Sequence, residues 1–121
     1  MLNVDYRIVG EVPVGIIEAA NEVYKTLGPG YSETVYRKSL AIELRLRGFA
    51  NVQEESPCVV KYKGVTVGYR LTDIQIGLPN PCILELKAVS GENFKLWKNQ
   101  LSSYLLLTGV NCGIIINFKN S

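Results

Sequence analysis

The run from Cys112 to Phe118, CGIIINF, is almost uninterrupted apolar β-former. A half-buried strand alternates between apolar and polar residues, so a run without alternation is expected to be buried on both faces, with cover above and below its sheet. The rest of the chain has to supply that cover.

It does so in a definite order. Ile16, Ile17, Ala20, Val23, Tyr24 and Leu27 fall at helical spacing, with Pro13 near the first turn and Gly28-Pro29-Gly30 as the stop, which predicts a helix over 13–27. Ser32 is placed to cap a second helix, in which Glu33, Tyr36, Leu40 and Leu44 share a stripe that ends around Gly48. Beyond Gly48 the period becomes two and β-branched residues dominate, predicting strands over 51–54 or 57–63, then 65–76, then 82–88. Lys63-Gly64 and Gly77-Leu78-Pro79-Asn80-Pro81 are turn chemistry, so these strands read as a meander. A third helix over 92–107 turns Trp97, Gln100, Leu101, Tyr104 and Leu105 inward and closes at Gly109. It is the natural crossover returning strand 112–118 to the sheet beside 82–88. The residues before helix one read as a short polar opening. The expected class is α/β, a central mixed sheet made of an antiparallel meander plus a crossover strand, flanked by helices, in a single domain over 1–121.

With 121 residues, 47% hydrophobic and 20% charged, the chain can build a core without staples. No segment has the length or purity of a membrane span or secretory leader, so a soluble, cytoplasmic protein is expected. The net charge of +2 is too small to argue for nucleic acid or membrane alone. Cys58, Cys82 and Cys112, odd in number and set in PCVV, PCIL and NCGI, read as buried free thiols. Histidine is absent. Any catalysis therefore rests on carboxylates, lysine, tyrosine or a hard metal ion.

The segment ILELKAV, 83–89, carries two charges inside a run that otherwise reads as buried strand. Alternation puts Glu85 and Lys87 on one face and Leu84, Leu86 and Ala88 on the other, and the two charges are expected to pair. Taking both out of water costs several kcal/mol per ion unless the surroundings compensate. Asp73, in RLTDIQI, precedes Glu85 by twelve residues across the Gly-Pro turn. In neighbouring strands the two carboxylates converge, and they repel unless a cation or proton lies between them. A magnesium ion held by carboxylates, carbonyl and water suits these residue types, with Lys87 orienting water or stabilising charge on a phosphoryl group.

Plainer readings stand beside these. A Glu-x-Lys triplet is often a solvated edge or a cross-strand salt bridge. Glu33 at a helix N-terminus is favoured by the macrodipole alone. Gln100 can serve a strand edge, while Tyr36 and Tyr104 read as core aromatics with satisfied hydroxyls. Arg37, Lys38, Arg45, Arg47, Lys95 and Lys98 read as solvated helix surface, and only clustering around the carboxylates would make them a phosphate-binding rim.

The spacing of Asp73, eleven intervening residues and then Glu85-Leu86-Lys87 resembles the core motif of the PD-(D/E)XK nuclease superfamily. More narrowly, LGPGYSETVY, AIELRLRG, VKYKGVTVGYR, ILELKAV, QLSSYLLLTG and IIINF, taken in order over 14–118, resemble the GxxExxY protein family, with Gly30, Glu33 and Tyr36 supplying the pattern. The resemblance implies a restriction-endonuclease-like core in which Asp73 and Glu85 hold Mg2+ or Mn2+ and Lys87 positions the attacking water or stabilises the transition state. It also implies that Glu33 contributes to the metal site from its helix and that Gln100 stands near the centre. The chain departs from the family where Tyr24 replaces a frequent histidine and where the turn GLPNP is long and proline-rich.

The leading expectation is a metal-dependent nuclease that hydrolyses phosphodiester bonds in DNA or RNA. The alternatives are a catalytically inactive nuclease-like module that binds nucleic acid or a protein partner, and a homodimer whose apolar surface the partner hides.

Overall fold

The computed structural model describes residues 2–120. A strand β1 (Asp5–Val9) leads into helices α1 (Ile16–Leu27) and α2 (Glu33–Leu46). Three strands follow, β2 (Val52–Tyr62), β3 (Val65–Ile76) and β4 (Cys82–Lys87), then helix α3 (Phe94–Thr108) and strand β5 (Gly113–Asn117). The five strands form one sheet in the order β1-β5-β4-β3-β2, antiparallel except for the parallel pair β4 and β5. The mixed sheet, the meander and the α3 crossover agree with the expectation from sequence. No helix among the described residues is long and apolar enough to cross a membrane.

β5 lies between β1 and β4, and all five of its residues are buried. Alternation sends Ile114 and Ile116 into the larger core with Leu84, Leu86 and the inner faces of α1 and α2, and Ile115 into a smaller core with Ile83, Leu101 and Tyr104 beneath α3. Each fully buried aliphatic side chain contributes about 1.5–3 kcal/mol, which is why this unalternating run belongs in the middle of the sheet. Gly113 lets α3 approach: an added Cβ would stand 2.8 Å from the Ile83 carbonyl and 2.8 Å from Leu101 Cδ1.

The helices start and stop where their caps dictate. The Ser32 side chain accepts a hydrogen bond from Val35 N, and Asn93 accepts one from Leu96 N. Tyr24 and Tyr36 are core aromatics whose hydroxyls donate to the carbonyls of Lys119 and Gly28, both at 2.6 Å. Tyr36 also stacks on Phe118 with ring centroids 4.5 Å apart. All three cysteines are free and buried.

The structure corrects the sequence reading in two places. The opening is not without structure: β1 pairs antiparallel with β5 from Asp5↔Asn117 to Val9↔Gly113. The segments 51–54 and 57–63 are not alternatives but one strand, β2, bent where Glu55 takes a left-handed φ of 51° and bulged between Val60 and Lys61. β2 and β3 pair along their whole length, whereas β3 pairs with β4 only from Ile76↔Cys82 to Ile74↔Leu84. Beyond that point the β2–β3 hairpin leaves the sheet as a two-stranded arm.

Candidate active site

The site forms at the fork where β3 parts from β4. The next pair in the ladder would be Asp73 and Glu85, and instead of a backbone bond the Asp73 carboxylate reaches across, its Oδ2 accepting from Leu86 N at 2.7 Å. Asp73 thereby satisfies an N–H that the departing strand abandons. Opposite it, the β2 backbone bends at Glu55, so the fork is built into three strands at once.

Glu85 is 8% exposed, and its Oε1 is buried with no hydrogen-bond partner. Burial, then repulsion from Asp73, pushes its pKa up to about 8, and the Lys87 ammonium opposes this only weakly. A buried carboxylate oxygen left without a donor is costly. A hard divalent cation would remove both the repulsion and the vacant acceptor, so Asp73 and Glu85 fit such an ion by the chemistry of their oxygens.

Lys87 shares the face of Glu85, as alternation requires, but the pair expected from sequence does not form: among the described residues no ion pair joins them. Two strand positions are separated by about 6.7 Å of rise, and the Lys87 ammonium lies instead 5.5 Å from the centre of the Trp97 ring on α3. The loop that follows β4 is pinned by Asn117, which accepts from Val89 N at 3.2 Å and donates to the carbonyls of Val89 and Gly91. This accounts for the polar residue inside the apolar β5 run.

Glu33, the first residue of α2, stands at the margin of the site. It is exposed as a residue, yet partial desolvation of its carboxyl, followed by repulsion from Asp73, raises its pKa, while Lys87 and Arg37 act in the opposite direction. Glu33 thus feels the charge of the centre. It does not close into a ligand set, since no group of three His, Cys, Asp or Glu side chains stands at metal-holding separation among the described residues. Gln100 is half-buried on α3, one turn before Tyr104, and does not satisfy Glu85 Oε1.

Two neighbours escaped the sequence reading. Tyr104, 6% exposed, faces the centre: burial and then the Glu85 charge raise its pKa. The Arg70 guanidinium lies 5.6 Å from the centre of the Tyr104 ring. Arg70 precedes Asp73 by only three residues, the one signal that could have marked it. The arginines of α2 do not form a rim around the carboxylates. Arg37 binds Glu54 at 3.3 Å and Glu55 at 2.6 Å, Arg45 donates to the Val52 carbonyl at 2.7 Å, and Arg47 pairs with Glu43 at 2.7 Å. Arg37 and Arg45 thus tie α2 to β2.

A mixed sheet flanked by helices, with an acidic fork and a lysine at the end of the next strand, is a restriction-endonuclease-like arrangement. The family model of the PD-(D/E)XK nuclease superfamily matches residues 11–121, and the chain belongs to that superfamily. No curated protein and no solved structure shows a significant match to it.

Proposed function

We propose that the protein is a metal-dependent nuclease that hydrolyses phosphodiester bonds in DNA or RNA, with Asp73 and Glu85 as ligands of Mg2+ or Mn2+. The observation that carries this reading is the buried, partnerless Oε1 of Glu85 facing the Asp73 carboxylate at the strand fork. Two acids forced together in a low-dielectric setting are destabilising on their own account and become favourable with a cation between them.

A divalent ion bound there supplies charge neutralisation at the phosphoryl group and polarisation of water. The chain's own residues do the rest. Asp73 is held in one orientation by the Leu86 N–H, so the ion's position is fixed by backbone rather than by a mobile side chain. Lys87, restrained over the Trp97 ring and paired with no acid, presents its ammonium to the negative charge that grows on the phosphate oxygens, or orients the attacking water. Glu33 adds negative field from the α2 terminus, and Gln100 lies on the α3 face that covers the centre.

Calorimetric titration with Mn2+ and Mg2+ tests the reading, with Asp73→Asn and Glu85→Gln as controls and a screen of single-stranded and duplex DNA and RNA alongside. Saturable binding in the wild type, lost in both controls together with cleavage, is the expected result. Nucleic-acid binding without metal binding or cleavage would replace the nuclease by an inactive binding module.

A further inference from the structure

The β2–β3 arm beyond the fork has two chemically different faces. Cross-strand partners share a face, so Cys58↔Arg70, Val60↔Gly68 and Lys61↔Thr66 define one, and Val59↔Tyr69 and Tyr62↔Val65 define the other. The second face is apolar and exposed. The first carries Arg70 and Lys61 and turns toward α3, where Cys58 joins the core of Leu101 and Tyr104, and Arg70 stands over the Tyr104 ring. It therefore begins beside the carboxylate fork and runs outward from it.

From Ser56 to Thr72 the arm holds Lys61, Lys63 and Arg70 and no acid. The whole chain is only +2, so the remainder is slightly acidic in sum and positive charge concentrates on the arm. Among the described residues, none of these three cations has a carboxylate within ion-pairing distance, whereas Arg37, Arg47 and Lys119 are paired.

Gly68 lies between Arg70 and Thr66 on this face. Its φ is not positive, and a Cβ added to it would meet nothing within 4 Å. Neither strain nor packing inside the chain calls for glycine there, although mid-strand glycine costs about 0.5–1 kcal/mol relative to alanine. Close approach of a ligand is the remaining reason for a bare strand at such a place.

We infer that this face of the arm, Arg70 and Lys61 flanking the bare backbone of Gly68, grips the phosphodiester backbone of a nucleic-acid strand and leads it to the fork. The inference rests on the proposed nuclease reading and assigns the substrate-holding element of the same site. Arg70 and the level of Lys61 are separated by four residues, about 13 Å along a strand, so the track spans a few nucleotides. Arg70 and Lys61 are positioning residues here, and chemistry remains with the fork.

The test measures binding of labelled single-stranded and duplex oligonucleotides to the wild type, to Arg70→Gln/Lys61→Gln, to Gly68→Val and to Arg70→Lys, between 50 and about 200 mM salt, each checked by thermal unfolding. The double variant is expected to bind at least about tenfold more weakly at low salt. Its salt slope should be shallower by about 1.4 for a single strand or about 1.8 for a duplex. Gly68→Val should weaken binding without changing that slope, and Arg70→Lys should restore most of it. Affinity and slope unchanged in the double variant, or no wild-type binding to either probe at 50 mM salt, would overturn the inference. Metal titration keeps it separate from the nuclease reading. Metal binding that needs Asp73 and Glu85 beside neutral arm variants removes the arm alone, and arm-dependent binding without metal binding removes the hydrolase alone.

Discussion

Asp73 Oδ2 accepts the backbone N–H of Leu86 at 2.7 Å, so a side chain of β3 takes the place that a main-chain carbonyl would fill if the two strands continued together. One carboxylate thereby has two duties, completing the sheet and facing Glu85. Variants can separate them.

Asp73→Asn keeps an oxygen able to accept from Leu86 N, so it should fold with little change in its urea midpoint while losing metal binding. Asp73→Ala leaves that N–H without its partner and should cost about 1–3 kcal/mol in the same denaturation experiment. Equal stability of the two variants would show that the hydrogen bond carries no weight.

Glu85 gives the fold a distinctive pH dependence. Its folded pKa of about 8 lies above its ordinary value of 4.5. The protonated form therefore favours the folded state, its contribution is full below pH 4.5, and it is lost as pH rises through 8. Urea midpoints of the wild type should fall between pH 5 and pH 8.5 relative to Glu85→Gln, whose amide does not ionise. Added Mn2+ should recover the midpoint at pH 8.5 in the wild type and not in Glu85→Gln. Parallel pH profiles for the two proteins would rule out a strained Glu85.

Lys87→Met retains most of the aliphatic contact with Trp97 and removes the ammonium. The expected phenotype is preserved metal binding and folding with cleavage slowed by about 10²–10³, the usual scale for one charge-stabilising group. Single-turnover rates at saturating metal are the measurement.

Gly113→Ala inserts a methyl 2.8 Å from both the Ile83 carbonyl and Leu101 Cδ1. Overpacking of this kind costs about 1–3 kcal/mol. The thermal midpoint should drop, and α3, which carries Trp97, Gln100 and Tyr104, should exchange its amide protons faster.

Much of the fold was legible because its helices and strands carry strong periods. α2 begins where Ser32 caps it and α3 ends at Gly109. The unalternating CGIIINF run is the buried strand it was expected to be. β1 was not legible, because DYRIV is five residues at an exposed edge and its partner lies at the far end of the chain. At the site, alternation could place Glu85 and Lys87 on one face, but not decide between a mutual ion pair and separate partners. That outcome depends on Trp97, supplied by a helix whose rotation over the sheet no local pattern encodes. Arg37 and Arg45 likewise read as solvated, because their partners Glu55 and Val52 come together with them only through the packing of α2 on β2.

β5 comes last among the strands in sequence yet stands between β1 and β4. Until residues 113–117 are in place, β4 has a free edge on one side and β1 has nothing to pair with. The acidic fork therefore cannot be matured piecemeal from the segment that encodes it. Its assembly waits on contacts made across nearly the whole chain, so folding should be slow for its size and close to all-or-none. A chain truncated before Gly113 should yield no partially competent fragment.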